Sequence, residues 1–254
     1  MLIAITREVS RSILNCELTH LARTPIDVER ARAQHAQYVT ALHTLGVEVT
    51  CLPEEPDLPD SVFVEDMAIV LDEAAVLTNP GADSRKPEVE SIAAALAPYR
   101  QLIRVQPPAT LDGGDVLVLG KQVFVGQTLR SNAAAVEQLQ SLLWPFGCRV
   151  FGIPVTDCLH LKSAVTQVGE KTLLINPAWV GKSHFAGFDF IEVDPSEPYA
   201  ANALLIGDAV IYPSEYPKTR KRLEAAGIQI VPVDAGELAK AEGGVTCCSL
   251  IFRK

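Results

Sequence analysis

The chain has 254 residues, of which 48% are hydrophobic and 21% charged, a globular composition that excludes intrinsic disorder. Its 31 acidic and 22 basic residues give a formal charge of −9, which disfavours binding to nucleic acid or to anionic membrane surfaces. No apolar run reaches the roughly 18 residues of a membrane span. The apolar start of the chain lacks the basic segment of a signal peptide and is typical of a first strand. We therefore expect a soluble, cytoplasmic protein.

Strand and helix patterns alternate along the chain at a regular interval. In chain order, they predict strand 2–6, helix 28–45, strands 47–52, 62–71 and 75–78, helix 88–97, strands 101–105, 115–119 and 122–125, helix 132–143, strands 149–153, 164–168, 172–175, 203–206 and 209–212, helix 218–226, strand 228–231 ending at Pro232, and strand 245–252. A strand-strand-helix-strand unit of roughly 50 residues thus recurs about five times. Residues 185–199 fit this pattern worst. We expect repeated α/β units within a single domain over residues 1–254.

The six cysteines are scattered and form no pattern that is typical of disulfides or zinc ligands. They stand at positions 16, 51, 148, 158, 247 and 248. Cys247 and Cys248 are adjacent, and adjacent residues rarely form an unstrained bridge with each other. We expect reduced thiols and no metal site, although one of the thiols is a candidate for chemistry.

Acidic residues surround two of the predicted strand ends. The segment Asp60–Asp66 (DSVFVED) has acids in a stretch that is otherwise apolar, and strand alternation would put Asp60 and Asp66 on one face with Glu65 on the other. A buried carboxylate needs a partner, whereas a charge at a strand end can simply be solvated. Leu111–Asp115 (LDGGD) places two carboxylates around a tight bend, which an ordinary turn would also explain.

A lone histidine and a cysteine pair complete the candidate residues. His160 lies between two leucines, where it is either a hydrogen-bonded core residue or a general acid–base. Cys247 and Cys248 follow Gly243-Gly244 in the predicted last strand, where both can be packing thiols. Carboxylates raise the pKa of a neighbouring thiol, so this combination suits a nucleophile whose substrate supplies positive charge. A guanidinium pairs with carboxylates and has an electrophilic central carbon.

These motifs resemble those of the dimethylarginine dimethylaminohydrolase family over essentially the whole chain. The matching segments are DSVFVED (60–66), NPGADSR (79–85), TLDGGDVL (110–117), TLRSN (128–132), LHLKS (159–163), YAAN (199–202) and GGVTCCS (243–249). The resemblance implies the pentein fold, a five-bladed α/β-propeller of strand-strand-helix-strand units around a central site. It also implies hydrolysis of Nω-methylated arginines to citrulline through a covalent cysteine intermediate, without a metal or an organic cofactor.

The resemblance assigns roles to individual residues. By position, Cys247 is similar to the nucleophile of the family, His160 to its general acid–base and Asp112 to the acidic companion of that histidine, a position at which some relatives have Glu. The remaining matches are Asp66 as the ligand of the guanidinium, Glu65 behind it, Asp60 for the α-amino group, Arg85 and Arg130 for the α-carboxylate, and Leu18 in a covering loop over residues 14–26. That loop matches the family least well. Cys248 would point into the body of a blade.

Other functions on the same fold remain open at this point. A short arginine deiminase and a citrulline hydrolase share the chemistry, because one or two methyl groups change selectivity by only about 1–3 kcal/mol. A non-catalytic arginine-binding protein is a further alternative, which the presence of Cys247, His160 and Asp112 disfavours. The expected partner is a small cationic guanidino amino acid, and the resemblance leaves both a monomer and a homodimer open.

Overall fold

The computed structural model describes residues 1–254 and contains fifteen short strands. They are β1 (Leu2–Arg7), β2 (Glu48–Leu52), β3 (Ala68–Val70), β4 (Ala74–Leu77), β5 (Gln101–Arg104), β6 (Val116–Leu119), β7 (Gln122–Gln127), β8 (Arg149–Pro154), β9 (Val165–Gly169), β10 (Thr172–Ile175), β11 (Asp189–Glu192), β12 (Leu204–Ile206), β13 (Ala209–Pro213), β14 (Gln229–Val233) and β15 (Leu250–Arg253).

The strands form five three-stranded sheets with one shared topology. In each sheet a first, inner strand pairs antiparallel with the middle strand, and an outer strand runs parallel to the middle one. The sheets are β15-β1-β2, β3-β4-β5, β6-β7-β8, β9-β10-β11 and β12-β13-β14. The first sheet takes its inner strand from the end of the chain, where Ile3 pairs with Phe252, so that the two termini join one unit. The predicted five-unit α/β-propeller is confirmed.

Helices connect the middle and outer strands, because strands that run parallel need a crossover between them. The crossover helices are α1 (Val28–Thr44), α2 (Glu88–Leu96), α3 (Ala133–Leu143) and α5 (Pro217–Ala225), whereas the short helices α4 (Leu161–Ala164) and α6 (Gly236–Ala239) precede the inner strands β9 and β15. In the fourth unit the crossover contains only a 3₁₀ turn, Lys182–His184, before β11, which explains why residues 185–199 fit the repeat poorly. No helix combines the length and hydropathy that a bilayer span requires.

The apolar core lies in the layers between neighbouring units. Helix α1 shows how the sequence produces such a layer: the Asp27 carboxylate caps its first turn by accepting from the Arg30 N–H at 3.0 Å. Ala31, Tyr38 and Leu42 lie on the buried face of the helix. Burial of a side chain such as Leu42 contributes roughly 1.5–3 kcal/mol to stability. These layers hold the units together and fix the turns at their inner ends.

Two of the predicted strands are wrong where they overlap the candidate site. Only Ala68–Val70 of the range 62–71 is extended, because residues 60–67 form a turn and a 3₁₀ helix in which the Phe63 N–H donates to the Asp60 carbonyl at 2.9 Å. The alternation of faces predicted for this segment is therefore also wrong. Residues 245–249 are turns as well, and the last strand begins at Leu250.

The other predicted ends are close to those observed, apart from Pro232. Strand β14 continues through Pro232 to Val233, contrary to the predicted end. It is the outer strand of its sheet, where a proline without an N–H can be accommodated on the unpaired side.

Candidate active site

The turns that precede the inner strands converge at one end of the propeller. They carry Cys247 before β15, Asp66 before β3, Asp112 before β6, His160 before β9 and Asn202 before β12. The first four surround or adjoin a small cavity of about 20 Å³. Its lining residues are Glu17, Asp60, Phe63, Asp66, Arg85, Arg130, Leu159, His160, Ala241, Glu242, Gly243 and Cys247. Asp112 lies behind His160 and is fully buried.

Cys247 is held in a tight turn with its thiol facing the cavity. The Gly244 N–H donates to its Sγ at 3.3 Å, and its own carbonyl accepts from the Glu65 N–H at 3.2 Å. Burial raises the pKa of the thiol, and the carboxylates of Glu65 and Asp66 raise it further, to about 12. The resting cysteine is therefore a neutral thiol at physiological pH. Cys248 packs in the apolar layer between the first and fifth units.

His160 stands between two buried carboxylates. Its Nε2 lies 3.1 Å from Asp112 Oδ2, and its Nδ1 lies 3.9 Å from Asp66 Oδ1. Burial lowers the pKa of the imidazole, but the neighbouring carboxylates outweigh burial and raise it to about 9. The imidazole is therefore protonated near neutral pH and can donate a proton.

Asp66 joins the imidazole to the positively charged wall of the cavity. Its Oδ2 accepts from Arg85 Nη1 at 2.6 Å, and its Oδ1 accepts from the Gly114 N–H at 2.9 Å. Burial would raise the pKa of this carboxyl, but His160 and Arg85 together lower it to about 2. Asp66 is therefore a carboxylate at any physiological pH, fixed by three partners.

Arg85 is buried and uses most of its donors within the protein. Its Nε and Nη2 bind the two carboxylate oxygens of Glu88 at 3.1 Å and 2.8 Å. Its Nη2 also donates to the carbonyls of Asp60 and Phe63. A guanidinium has five N–H groups, so little donor capacity remains for a ligand.

Arg130 and Asp60 contact the segment that covers the cavity. Arg130 Nη2 donates to Thr19 Oγ1 at 3.1 Å, and Asp60 Oδ2 accepts from the Glu17 N–H at 3.0 Å. Burial raises the pKa of Asp60, although Arg85 opposes this. The predicted contact residue Leu18 lies in the same covering segment and packs against the apolar layer of α1, but it does not line the cavity.

A residue that the sequence analysis missed holds the covering segment in place. The carboxylate of Glu242 accepts three consecutive backbone N–H groups, those of Thr19 at 2.9 Å, His20 at 2.6 Å and Leu21 at 2.6 Å. Glu242 itself adopts a left-handed backbone with φ of 59° beside Gly243. The segment is thus latched over the cavity by a side chain from the turn that leads to Cys247. No local pattern around Glu242 indicates this contact.

The floor of the site is formed by an ion pair between Glu65 and Lys162 and by the Thr246 hydroxyl that donates to Glu65. Glu65 Oε1 accepts from Lys162 Nζ, and Glu65 Oε2 accepts from Thr246 Oγ1 at 2.8 Å. Beyond the floor, the inner strands surround a second cavity of about 230 Å³, which Glu65, Lys162 and Thr246 also line. Glu65 therefore lies beneath the nucleophile and away from the substrate cavity.

A second missed residue, Asp115, supports the histidine. Its Oδ1 accepts from the Leu161 N–H at 2.9 Å, and its Oδ2 accepts from the hydroxyls of Thr128 and Ser131 at 2.7 Å and 2.6 Å. Burial raises its pKa to about 6 against these contacts. The second acid of the LDGGD motif therefore anchors the segment that starts at His160.

Two further features adjoin the site. A cavity of about 370 Å³ lies beside it and shares Leu159, Glu242 and Gly243, but neither Cys247 nor His160 lines it. Asp66, Asp112 and His160 each offer a possible metal ligand, and these atoms lie within 4.8 Å of one another. Because Arg85 is already bound to Asp66, a cation there would meet a positive neighbour.

Comparisons with known proteins agree with this geometry. A family model described as "N,N dimethylarginine dimethylhydrolase, eukaryotic" matches residues 20–183. The chain is 34% identical to the dimethylarginine dimethylaminohydrolase of Pseudomonas aeruginosa, covering 98% of both chains. It is 39% identical to that of Streptomyces coelicolor, covering 99% of this chain and 97% of the relative.

The solved structures extend the likeness to the fold. A cysteine-to-serine variant of the P. aeruginosa enzyme in complex with citrulline superposes with a TM-score of 0.94 at 33% identity and covers 98% of each chain. The N-terminal domain of a cyanobacterial arginine dihydrolase superposes with a TM-score of 0.89 at 18% identity, covering 100% of this chain and 98% of that domain, and shares the fold.

Proposed function

Because the chain belongs to the dimethylarginine dimethylaminohydrolase family, we propose that it hydrolyses Nω-methylated arginines. Asymmetric dimethylarginine would give citrulline and dimethylamine, and monomethylarginine would give citrulline and methylamine. The observation that carries the proposal is a small cavity at which a thiol and an imidazolium adjoin buried carboxylates. This arrangement suits a cationic substrate that a thiolate can attack.

The substrate is positioned by charges at both of its ends. Asp66 holds and aligns the guanidinium, an effect worth several kcal/mol of activation free energy in well-oriented reactions, and Asp112, buried behind His160, orients the imidazole. Asp60 receives the α-amino group, and Arg130 binds the α-carboxylate. Arg85 has little donor capacity to spare, so we assign it the support of Asp66 and a minor share of carboxylate binding.

The reaction then proceeds in two displacements. The arriving guanidinium offsets the carboxylates that hold the pKa of Cys247 at about 12, and the thiol loses its proton to solvent water. The thiolate attacks the guanidinium carbon, and the bond to the methylated nitrogen breaks as His160 donates its proton to the leaving amine. The product of this step is an S-alkylthiouronium adduct on Cys247.

Water completes the cycle. His160, now neutral, takes a proton from water, and the oxygen attacks the same carbon of the adduct. The carbon–sulfur bond breaks, the thiolate leaves, and the carbonyl of citrulline forms. The proton taken from water has restored the imidazolium, and the hydroxyl proton released as the carbonyl forms restores the thiol, so the net reaction consumes one substrate and one water and yields citrulline and one amine, which takes up the proton first lost to solvent.

Arginine itself is the competing substrate. An arginine deiminase uses the same attack and differs only at the leaving nitrogen, and a citrulline hydrolase or a non-catalytic arginine-binding protein would use the same charged contacts. The close match to named dimethylarginine dimethylaminohydrolases favours the methylated substrates.

Citrulline release from purified protein tests the proposal. The protein is given asymmetric dimethylarginine, monomethylarginine and arginine separately, with Cys247→Ser as the matched inactive control. We expect citrulline from both methylated substrates, little from arginine, and none from the variant. Release mainly from arginine would make the protein a short deiminase, and no release from any of the three would refute the proposed reaction.

A further inference from the structure

Asn202 occupies the place in the fifth unit that catalytic groups occupy in the other four. It lies two residues before inner strand β12, as Asp66 lies two residues before β3. Only 7% of Asn202 is exposed. The role of this position follows from what its amide contacts.

The Asn202 amide bonds two segments that carry catalytic groups. Its Oδ1 accepts from the Thr246 N–H at 3.1 Å, and its Nδ2 donates to Thr246 Oγ1 at 3.0 Å. The same Nδ2 donates to the Lys162 carbonyl at 3.1 Å. Thr246 directly precedes the nucleophile, and Lys162 lies two residues after His160. The amide therefore connects the turn of Cys247 to the segment of His160.

The amide also packs against the start of the nucleophile turn. A Cβ added to Gly244 would lie 2.4 Å from Asn202 Cγ, so only glycine fits between the two segments. The N–H of this glycine is the group that donates to Cys247 Sγ. The side chain thus defines the position of the backbone donor as well as that of Thr246.

We propose that Asn202 is a positioning residue that fixes the Cys247 turn relative to His160. Nucleophilic attack and proton donation must occur at one substrate carbon–nitrogen bond, so the thiol and the imidazole have to keep a constant separation. A displacement of about 1 Å costs roughly 100-fold in rate in such sites. The kinetic consequence rests on the proposed function, but the structural one does not.

Asn202→Ala tests the proposal, with Asn176→Ala as the matched control. Asn176 is equally buried, at 5% exposure, and its amide also joins two segments, accepting from the Ala178 N–H and donating to the Pro198 carbonyl. Its side chain bonds to neither the Cys247 turn nor the His160 segment, and the bond from its backbone N–H to the Ala164 carbonyl does not depend on the side chain. For Asn202→Ala we expect kcat to fall about 10- to 100-fold with KM and the affinity for citrulline within about threefold of the parent. For Asn176→Ala we expect kcat to stay near the parent value at a comparable loss of Tm.

Hydrogen exchange of residues 243–249 provides a readout that needs no substrate. We expect faster exchange there in Asn202→Ala and no change in Asn176→Ala. If the parent protein released no citrulline, this difference would still support the positioning role while the proposed function failed. Parent-like kcat and parent-like exchange in Asn202→Ala would overturn the inference, as would a rise in KM that matches the fall in kcat.

A second variant covers the case in which Asn202→Ala does not fold. Asn202→Asp has the same shape and keeps the acceptor for the Thr246 N–H, but loses both donated bonds. We expect kcat to fall at least about tenfold in this variant at a similar KM. A kcat within about threefold of the parent would overturn the proposal.

Discussion

Replacing Glu65 by Gln tests the electrostatic description of the nucleophile. After burial, the Glu65 carboxylate makes the largest contribution to the raised pKa of the Cys247 thiol. Thr246 Oγ1 lies 2.8 Å from Glu65 Oε2 and 4.0 Å from Cys247 Sγ. The carboxylate and the sulfur are therefore less than about 7 Å apart, where two like charges repel by roughly 2.4 kcal/mol at an effective dielectric constant of about 20.

That repulsion sets the size of the expected effect. It corresponds to a fall of about 1.7 in the pKa of the thiol, and hence about 50-fold more thiolate at a fixed pH far below the pKa. A thiolate of lower pKa is a weaker nucleophile, with a Brønsted coefficient of about 0.4–0.5, which offsets about half of the gain on a logarithmic scale. We expect iodoacetamide to alkylate Cys247 in Glu65→Gln about tenfold faster than in the parent.

The control is Lys162→Met. The Lys162 ammonium pairs with Glu65 and lowers the pKa of Cys247, so its removal raises that pKa. Alkylation of Cys247 should be slower in this variant, and Cys247→Ser gives the background from Cys248, which lies in the same peptide. Rates are measured by mass spectrometry of the Cys247 peptide at one pH near neutrality. An unchanged or slower rate in Glu65→Gln would refute the reasoning. Faster alkylation in both variants would indicate loosened packing rather than charge.

Three further predictions concern the histidine, the arginines and the latch. kcat/KM should rise about tenfold per pH unit and level off above about pH 9. The reason is that the active form pairs a thiolate with an imidazolium whose pKa is raised to about 9. A rise that continues well past that pH would contradict the assignment of His160. Arg130→Ala should raise KM with little change in kcat. Arg85→Ala should instead lower the free energy of unfolding by about 3–5 kcal/mol in urea titrations, because Asp66 and Glu88 lose a buried partner. Equal effects of the two substitutions on KM and on stability would refute this division. Glu242→Gln weakens three hydrogen bonds to the covering segment, so KM and the hydrogen-exchange rate of residues 17–21 should both rise. An unaltered exchange rate there would show that Glu242 does not hold the covering segment in place.

The sequence predicts the repeat because hairpins and helices leave local signals, whereas the roles of the site residues come from the resemblance of their motifs to the family. Turns such as Gly120-Lys121, between β6 and β7, mark the hairpins, and the catalytic groups lie in the turns that precede inner strands. The apolar run after Asp60 also has a strand pattern, but tertiary contacts override it. Arg85 donates hydrogen bonds to the carbonyls of Asp60 and Phe63, and strand propensity carries no information about these bonds.

The roles of Glu242 and Asn202 could not be predicted because their contacts join segments that are far apart in the sequence. Glu242 binds amides 221 to 223 positions away in the chain, and Asn202 contacts Thr246 across 44 positions. Neither contact leaves a periodic or compositional signal in a single sequence. Asp115 was visible in its motif, but its fully buried position and its bonds to the His160 segment follow only from the packing of the third and fourth units.

Direct detection of the covalent intermediate on Cys247 tests the central claim. His160→Ala lacks both the acid that protonates the leaving amine and the base that activates water, so the variant is incubated with S-methylthiocitrulline, whose thiol leaving group needs no general acid, and should accumulate protein whose mass has increased by that of the substrate less methanethiol. Peptide mapping should place the added mass on Cys247, and Cys247→Ser should show none. An adduct on another residue, or citrulline formation by the parent that persists in Cys247→Ser, would contradict the account.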